Sequence, residues 1–185
     1  TEMQRPGGRT ERTRNAVLSA AYEVVAQDGY NGLTVEAVAE RSGVHKTTIY
    51  RRWGSVESVL FDAVMARAEE AIPLDRTADC RTDLITMAHS VATNLSDPVA
   101  QAVAAAILSR RADRQLRELS ERFWESRIGA AAQIVIDGQD AGEFDVAIDP
   151  RIAIEMIIGP IWFRSMVLRA PVDDAFVESL VDLAV

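Results

Sequence analysis

The chain has 185 residues, of which 48% are hydrophobic and 26% are charged, and its formal net charge is −8 at pH 7. This composition excludes a disordered or fibrous protein and allows a sizeable core, in one domain or in a small domain attached to a larger one. A single cysteine, Cys80, leaves no disulfide framework, which fits a reducing compartment. The start carries no apolar run typical of a signal peptide, and charges and Gly159-Pro160 interrupt the longest apolar stretch. We therefore expect a cytoplasmic protein without a membrane span.

The negative charge is unevenly distributed along the chain. Residues 1–54 hold eight Lys or Arg and six Asp or Glu, a net charge of +2, whereas the remaining residues hold 12 and 22, a net charge of −10. Overall acidity is therefore a poor guide to the N-terminal part, whose cations can meet a nucleic acid locally.

The first elements in chain order are an arm and a helix. Residues 1–9, TEMQRPGGR, predict a flexible arm because proline and two glycines oppose regular structure. Its arginines would either reach DNA or stay solvated. Residues 10–27 carry apolar side chains at helical spacing and predict a first helix that ends at Gly29.

Two short helices joined by a tight turn follow in residues 33–53. Thr34 is a good N-cap, and Leu33 before it can pack on Val38 as a hydrophobic staple. Gly43 permits the positive φ that a three- to four-residue turn requires, so the pattern predicts a helix-turn-helix. We expect the second helix to cover 46–53.

The exposed side of this second helix is rich in hydrogen-bond donors and cations, which no protein core needs. Cations neutralise phosphates, hydroxyl groups donate to phosphate oxygens, and residues near the helix N-terminus reach base edges in the major groove. The side chains are those of His45, Lys46, Thr47, Thr48, Tyr50, Arg51 and Arg52. The pattern therefore indicates a DNA-reading helix, although an ordinary solvated helix is the alternative.

The run TVEAVAERSGVHKTTIYRRWGSVESVL resembles the DNA-binding signature of TetR-type transcriptional repressors. The positions in register are Thr34, Ala39, Gly43, Val44, Thr48, Ile49, Tyr50 and Trp53. The resemblance implies an all-α fold with an N-terminal arm and helix-turn-helix domain in residues 1–54 and a C-terminal helical effector-binding and dimerisation domain in residues 55–185.

The same resemblance implies roles for individual residues. Lys46 and Thr47 take the positions of base-edge contacts, while a second group would mostly contact phosphates: Thr48, Tyr50, Arg51, Arg52 and, from the preceding helix, Thr34. One departure is Val56, because the family commonly has a phosphate-binding lysine there. Ser55 can still cap the next helix, whose N-terminus would then offer a weaker phosphate contact.

The remaining chain predicts further helices. A long helix follows Ser55 and ends at about Ile72 before Pro73, and another covers the apolar positions from Leu84 to Leu95. Asp97-Pro98 and Asp149-Pro150 are start signals, and the first of these helices ends near Arg110-Arg111. We expect a helix from about 113 to 139 between the two helices that these signals start. Asp173 is the expected cap of the last helix. Pro160 predicts a kink.

The helix after Asp149-Pro150 is apolar nearly all round, so it must be buried on every side. Packing its outer face against a second copy is the simplest solution, and sequence around Gly142-Glu143-Phe144 is similar to C-terminal domains of the same family. We expect a homodimer interface formed by Ile154, Ile158, Ile161, Met166, Phe176 and Leu180. A monomer with this helix in its core is the alternative.

Catalytic and metal-binding patterns are absent from the sequence. His45 and His89 have no acidic or cysteine neighbours at metal-ligand spacing, and Cys80 has no CxxC partner. Glycine-rich phosphate loops and GxSxG turns are also missing. We expect no enzyme activity, no metal and no cofactor.

The family resemblance also implies a small-molecule pocket in the C-terminal body. The candidate lining is apolar with two polar groups: Phe61, Met65, Met87, His89, Phe123, Trp124, Arg127 and Trp162. Side chains of this kind at helical spacing are also typical of a filled core.

Taken together, these features lead us to expect a homodimeric repressor that a small-molecule effector releases from a near-palindromic double-stranded operator. One alternative is that the protein activates transcription. Another is a helical ligand-binding or protein-interaction module that has lost DNA binding.

Overall fold

The computed structural model describes residues 8–72, 74, 76, 77, 79–109 and 114–185. Every regular element in these residues is helical, which confirms the predicted all-α class. The helices are α1 Arg9–Asp28, α2 Val35–Ser42, α3 Lys46–Trp53, α4 Val56–Ala71, α5 Cys80–Leu95, α6 Pro98–Ser109, α7 Arg114–Ala141, α8 Pro150–Trp162 and α9 Asp174–Ala184. A 3-10 turn, Tyr30–Gly32, follows α1, and a π-helical segment, Phe163–Leu168, continues α8.

Several predictions of element ends fall outside the described residues. These are most of the N-terminal arm, Pro73 as the stop after α4, and the boundary between α6 and α7 at Arg110-Arg111 and Asp113. The described residues form two compact units, one from those within 1–67 and 102–116 and the other from those within 68–101 and 117–185. The domain division at residue 54/55 stays a prediction.

The three aspartates expected to start helices all act as caps. Asp97 accepts hydrogen bonds from the N–H groups of Val99 and Ala100. Asp149 accepts from two N–H groups of the first turn of α8, and Asp173 accepts from Phe176. Each cap satisfies amides that have no partner inside the helix, so these predicted starts are confirmed.

The core of the first unit is built from the inner sides of its first three helices. Val17, Ala21 and Val38 have no exposed surface, and Ile49 of α3 is almost completely buried. An α3 buried along one side in this way is held at a fixed orientation on α1 and α2.

The core of the second unit lies among α5, α7, α8 and α9. Its largest fully buried side chains include Leu84, Met87, Ile134, Ile154, Ile157 and Ile161. The outer side of α8 is different, because Ile152 is 56% exposed and Met156 is 49% exposed. Within one chain, therefore, α8 is buried along one side and leaves an apolar side uncovered.

The end of α8 changes geometry after Pro160. Proline has no N–H to donate within the helix, and three residues later the backbone becomes π-helical, over Phe163–Leu168. This segment ends at Arg169, whose φ of 51° and ψ of 38° are left-handed. No helix in the described part of the chain is both long and apolar enough to cross a membrane.

Candidate nucleic-acid interface

The turn between α2 and α3 is fixed by local hydrogen bonds and by one glycine. Thr34 Oγ1 accepts from the N–H of Ala37 at 3.1 Å, which confirms the predicted N-cap of α2. Gly43 ends α2 with a φ of 68°, where a side chain would be strained. The N–H of Val44 donates to Ser42 Oγ at 3.2 Å. The chain therefore reverses within a few residues, and α3 begins and ends at the predicted residues, 46 and 53.

The inner side of α3 is anchored at its C-terminal end. Trp53 is 7% exposed, and its indole Nε1 donates to Asp62 Oδ2 of α4 at 2.9 Å. Gly54, with a φ of 76°, ends the helix. A buried ring with a charged acceptor fixes both the position and the rotation of α3.

The outer side of α3 carries the predicted DNA-binding side chains. Tyr50 is 51% exposed although it is a large aromatic residue. Thr48 is half-buried, and the other predicted positions are exposed: Thr34, His45, Lys46, Thr47, Arg51 and Arg52. Seven of the eight predicted residues thus lie on one short helix and its N-cap, and Thr34 caps the helix before it.

Lys46 already has a protein partner on α2. Its Nζ lies 2.8 Å from Oε1 of Glu36, and both side chains are more than half exposed. The hydrogen bond from Lys46 and its charge lower the pKa of the Glu36 carboxyl, and the same pair raises the pKa of Lys46. Glu36 was not among the predicted residues, because no helical spacing rule connects residues ten positions apart across a turn.

Arg52 is oriented by contacts with the first unit. Its Nη1 donates to the carbonyl of Thr10 at 3.3 Å, and its guanidinium carbon lies 5.0 Å from the centre of the Trp53 ring. An arginine placed over an indole face is held by a cation–π contact while its remaining N–H groups stay available.

The start of α4 has the expected cap. The N–H of Ser58 donates to Ser55 Oγ at 3.2 Å, which confirms Ser55 as the N-cap. Val56 occupies the first helical position and is partly buried. The positive dipole end of α4 therefore lies at the position where the TetR-type pattern that the sequence resembles commonly has a lysine.

The residues of the predicted effector pocket divide between the two units. Phe61 and Met65 lie in the first unit and the other six in the second. In the second unit Trp124 contacts Phe123 and Trp162 edge to face, with ring centres 5.2 Å and 5.7 Å apart. Met87 is 2% exposed and belongs to the core.

Arg127, predicted as a polar group of the pocket, is partly buried. Its Nη2 donates to the carbonyl of Ile72 at 2.6 Å, just after the end of α4. Burial lowers the pKa of this guanidinium. Arg127 therefore ties the central helix α7 to the chain that leaves α4.

A cavity of about 640 Å³ lies elsewhere in the second unit. Of the predicted residues, His89 lines it. The other polar side chains of its wall are Thr93, Ser96, Gln101, Ser165 and Arg169. Periodicity identifies helix faces and not voids, so no sequence signal indicated this cavity.

The predicted dimer residues occupy two kinds of position. Ile154 and Ile161 have no exposed surface in the single chain, so we assign them to the subunit core instead of the dimer surface. Ile158, Met166, Phe176 and Leu180 are partly exposed. Phe176 also lies under the Arg164 guanidinium, 4.2 Å from its carbon to the ring centre.

Comparisons with known proteins agree with this geometry. Residues 17–63 match the family model for bacterial regulatory proteins of the tetR family, and residues 74–184 match the tetracyclin repressor-like C-terminal domain. The chain is 30% identical to the uncharacterized HTH-type transcriptional regulator YdeS of Bacillus subtilis, over 97% of this chain and 91% of YdeS. It is also 30% identical to the HTH-type transcriptional regulator AqdR of Rhodococcus erythropolis, over 82% and 73% of the two chains.

A solved structure, the TetR family transcription regulator SCO0332, superposes with a TM-score of 0.80 at 26% identity. The superposition covers 94% of this chain and 97% of that one. Members of this family bind operator DNA and form dimers. The helix-turn-helix, the helical C-terminal body and the relatives lead to one conclusion: this chain belongs to the TetR family of transcriptional regulators.

Proposed function

We propose that this regulator is a homodimeric repressor that places α3 of each subunit in a major groove of a near-palindromic operator. The observation that carries the proposal is the two-sided character of α3. Ile49 and Trp53 fix its inner side, while hydroxyl groups, a phenol and cations occupy its outer side. A rigid helix with such a surface can enter a groove without rearrangement of the domain.

The roles of the outer residues follow from their positions on the helix. Lys46 and Thr47 lie in the first turn of α3, which is the part of a recognition helix that reaches base edges. Four residues would contact mainly phosphates: Thr48, Tyr50, Arg51 and Arg52. Thr34 and His45 flank this surface at the N-caps of α2 and α3.

The homodimer is proposed from the uncovered apolar side of α8 and its π-helical continuation. Ile152, Met156, Phe163 and Val167 are each about half exposed or more. Covering this side with the same side of a second copy removes apolar surface from water. The two α3 helices would then read grooves about 34 Å apart, on one face of the DNA and in the cytoplasm.

Release by a small molecule is the third part of the proposal. The predicted lining in the second unit combines the aromatic group of Phe123, Trp124 and Trp162 with the partly buried Arg127. Such a set can hold an apolar ligand with one polar group. Because Arg127 donates to the carbonyl of Ile72, a ligand that competes for its N–H groups would loosen the end of α4.

Fluorescence anisotropy tests DNA binding. The duplex is taken from the region upstream of the regulator's own gene, with a scrambled duplex as the control, at low and near-physiological salt. We expect preferential binding that weakens steeply with salt, because phosphate contacts release counterions. No binding to either duplex at low salt would favour the alternative, a helical ligand-binding or protein-interaction module that has lost DNA binding.

Two variants test the division of roles on α3. Lys46→Ala should relax preference at one base pair and cost about 1–3 kcal/mol in binding if the lysine contacts a guanine. Tyr50→Phe, which removes only the hydroxyl, should weaken binding to all duplexes alike. Uniform weakening by the lysine variant would move Lys46 to the group that contacts phosphates.

A further inference from the structure

The cavity of the second unit lies where three elements meet. It is bounded by the C-terminal half of α5, the first turn of α6, and the end of the π-helical segment with the loop that follows. Its volume, about 640 Å³, falls within the range of small-molecule sites. All of its lining residues belong to the second unit.

The ionisable side chains on its described wall are both basic. Arg169 and His89 line the cavity, and none of its described lining residues is acidic. His89 Nε2 lies 3.7 Å from Oδ1 of Asp174, whose side chain is 91% exposed at the surface. A cavity whose described wall carries an arginine, itself exposed, and no carboxylate favours an anion over a cation.

The backbone of Arg169 is the second distinctive feature of the cavity wall. Among the described residues Arg169 has the one positive φ outside glycine, at 51°. The N–H of Ala170 donates to the carbonyl of Arg164 at 3.0 Å and closes the helix end around it. Glycine is the usual residue at such a helix end, and strained non-glycine residues concentrate at ligand sites.

Two neutral polar side chains of the cavity wall already donate hydrogen bonds within the protein, so fewer of their donors are available to a ligand. Gln101 Nε2 donates to the carbonyl of Leu95 at 2.8 Å, and Ser96 Oγ donates to the carbonyl of Thr93 at 2.6 Å. Because these donors are used within the protein, Gln101 and Ser96 would offer a ligand in the cavity mainly acceptor oxygens. Acceptors of this kind suit the hydroxyl groups of a ligand.

We propose that this cavity binds a small hydroxylated oxyanion, a carboxylate or a phosphate monoester, with Arg169 and His89 at its charged group and Gln101 and Ser96 at its hydroxyl groups. Its regulatory meaning rests on the proposed function. Gln101 is the last residue that α6 contributes to the second unit.

Binding is measured without DNA, by proton NMR of the two histidines of the untagged protein. His45 lies in the first unit and His89 lines the cavity, so one signal reports the site and the other is an internal control. Sodium gluconate and glycerol 2-phosphate are the probes, at fixed pH. Glycerol and sodium chloride at matched ionic strength are the controls.

We expect at least one oxyanion to move the His89 ring signal saturably while the His45 signal stays. Which probe acts distinguishes a carboxylate from a phosphate ligand. Arg169→Gly should weaken binding about tenfold or more and keep the fold, because glycine adopts the same φ without strain. Arg81→Gln is the matched control, since Arg81 lies at the other end of α5, paired with Asp182.

Three results would overturn the proposal. These are no saturable shift with either oxyanion, an equal shift with sodium chloride, and unchanged affinity in Arg169→Gly. The titration contains no DNA, so its result can be interpreted even if the protein fails to bind an operator. Conversely, the anisotropy measurement of DNA binding can be interpreted even if the cavity binds neither oxyanion.

Discussion

Lys46 Nζ and Glu36 Oε1 lie 2.8 Å apart, so the first residue of α3, the proposed DNA-reading helix, is paired with the first turn of α2. A lysine that contacts DNA must either leave this carboxylate or bring it close to the phosphates. Breaking the pair gives up the attraction between its two charges, and keeping it brings a negative carboxylate close to the phosphates, so either case lowers affinity for DNA.

Glu36→Gln should therefore tighten DNA binding modestly, by less than about tenfold, because exposed ion pairs are weak. Lys46 holds the pKa of Glu36 below its usual range, so the carboxylate is charged at neutral pH. Anisotropy at low salt measures the change. Glu40→Gln, one turn further along α2, is the control for the loss of one negative charge. A gain of equal size in the control would show that the pair itself has no effect.

Trp53→Phe tests the anchor at the other end of α3. The variant keeps an aromatic ring and removes the donor to Asp62, so a partly buried carboxylate loses its partner. We expect the free energy of unfolding to fall by about 1 kcal/mol or more, together with weaker DNA binding. Thermal and urea unfolding provide the measurement. Asp62→Asn, which keeps an oxygen acceptor, should lose less, and an equal loss would contradict the assignment.

Val56→Lys tests the departure from the family pattern at the start of α4. A lysine at this position adds one cation beside the helix terminus capped by Ser55. If it meets a phosphate, DNA binding tightens and the slope of log K against log salt steepens by about 0.9. Val56→Gln adds length without charge and should leave the slope unchanged. A tighter complex with an unchanged slope would argue against a phosphate contact.

Met156→Asp tests the proposed dimer surface. Met156 is 49% exposed in the single chain, so the charge can be placed without disturbing the subunit core. In a dimer the same carboxylate would be buried without a partner, at a cost of several kcal/mol. Sedimentation should then give the mass of one subunit with unchanged helical content. Val146→Asp, at an 80% exposed loop position, is the control, and an undivided dimer in Met156→Asp would exclude this surface.

The helix-turn-helix could be predicted from sequence because its determinants are local. A threonine that caps, a glycine that takes a positive φ and an apolar pair at Ile49 and Trp53 each act within a few residues. The pairing of Glu36 with Lys46 depends on how two helices cross, which no short pattern encodes.

The C-terminal helices were harder to predict because they do not divide clearly into an apolar side and a polar side. In α8 nearly every residue is apolar, so the sequence could not separate Ile154, which is fully buried, from Met156, which is half exposed. Nor could it locate the cavity, since side chains from α5, α6 and the loop after the π-helical segment meet there only in three dimensions. The caps Asp97, Asp149 and Asp173, by contrast, were predictable from local chemistry.

The π-helical segment Phe163–Leu168 is a place where the loss of a single residue would change the geometry of the chain. A π-turn contains one more residue than the α-turn it replaces. Deleting one residue there would allow a regular α-helix to form, and each residue of such a helix turns by about 100°. Homologues that differ by one residue between Pro160 and Arg169 would therefore present different side chains to the cavity and to the proposed dimer surface, even where every other residue was the same.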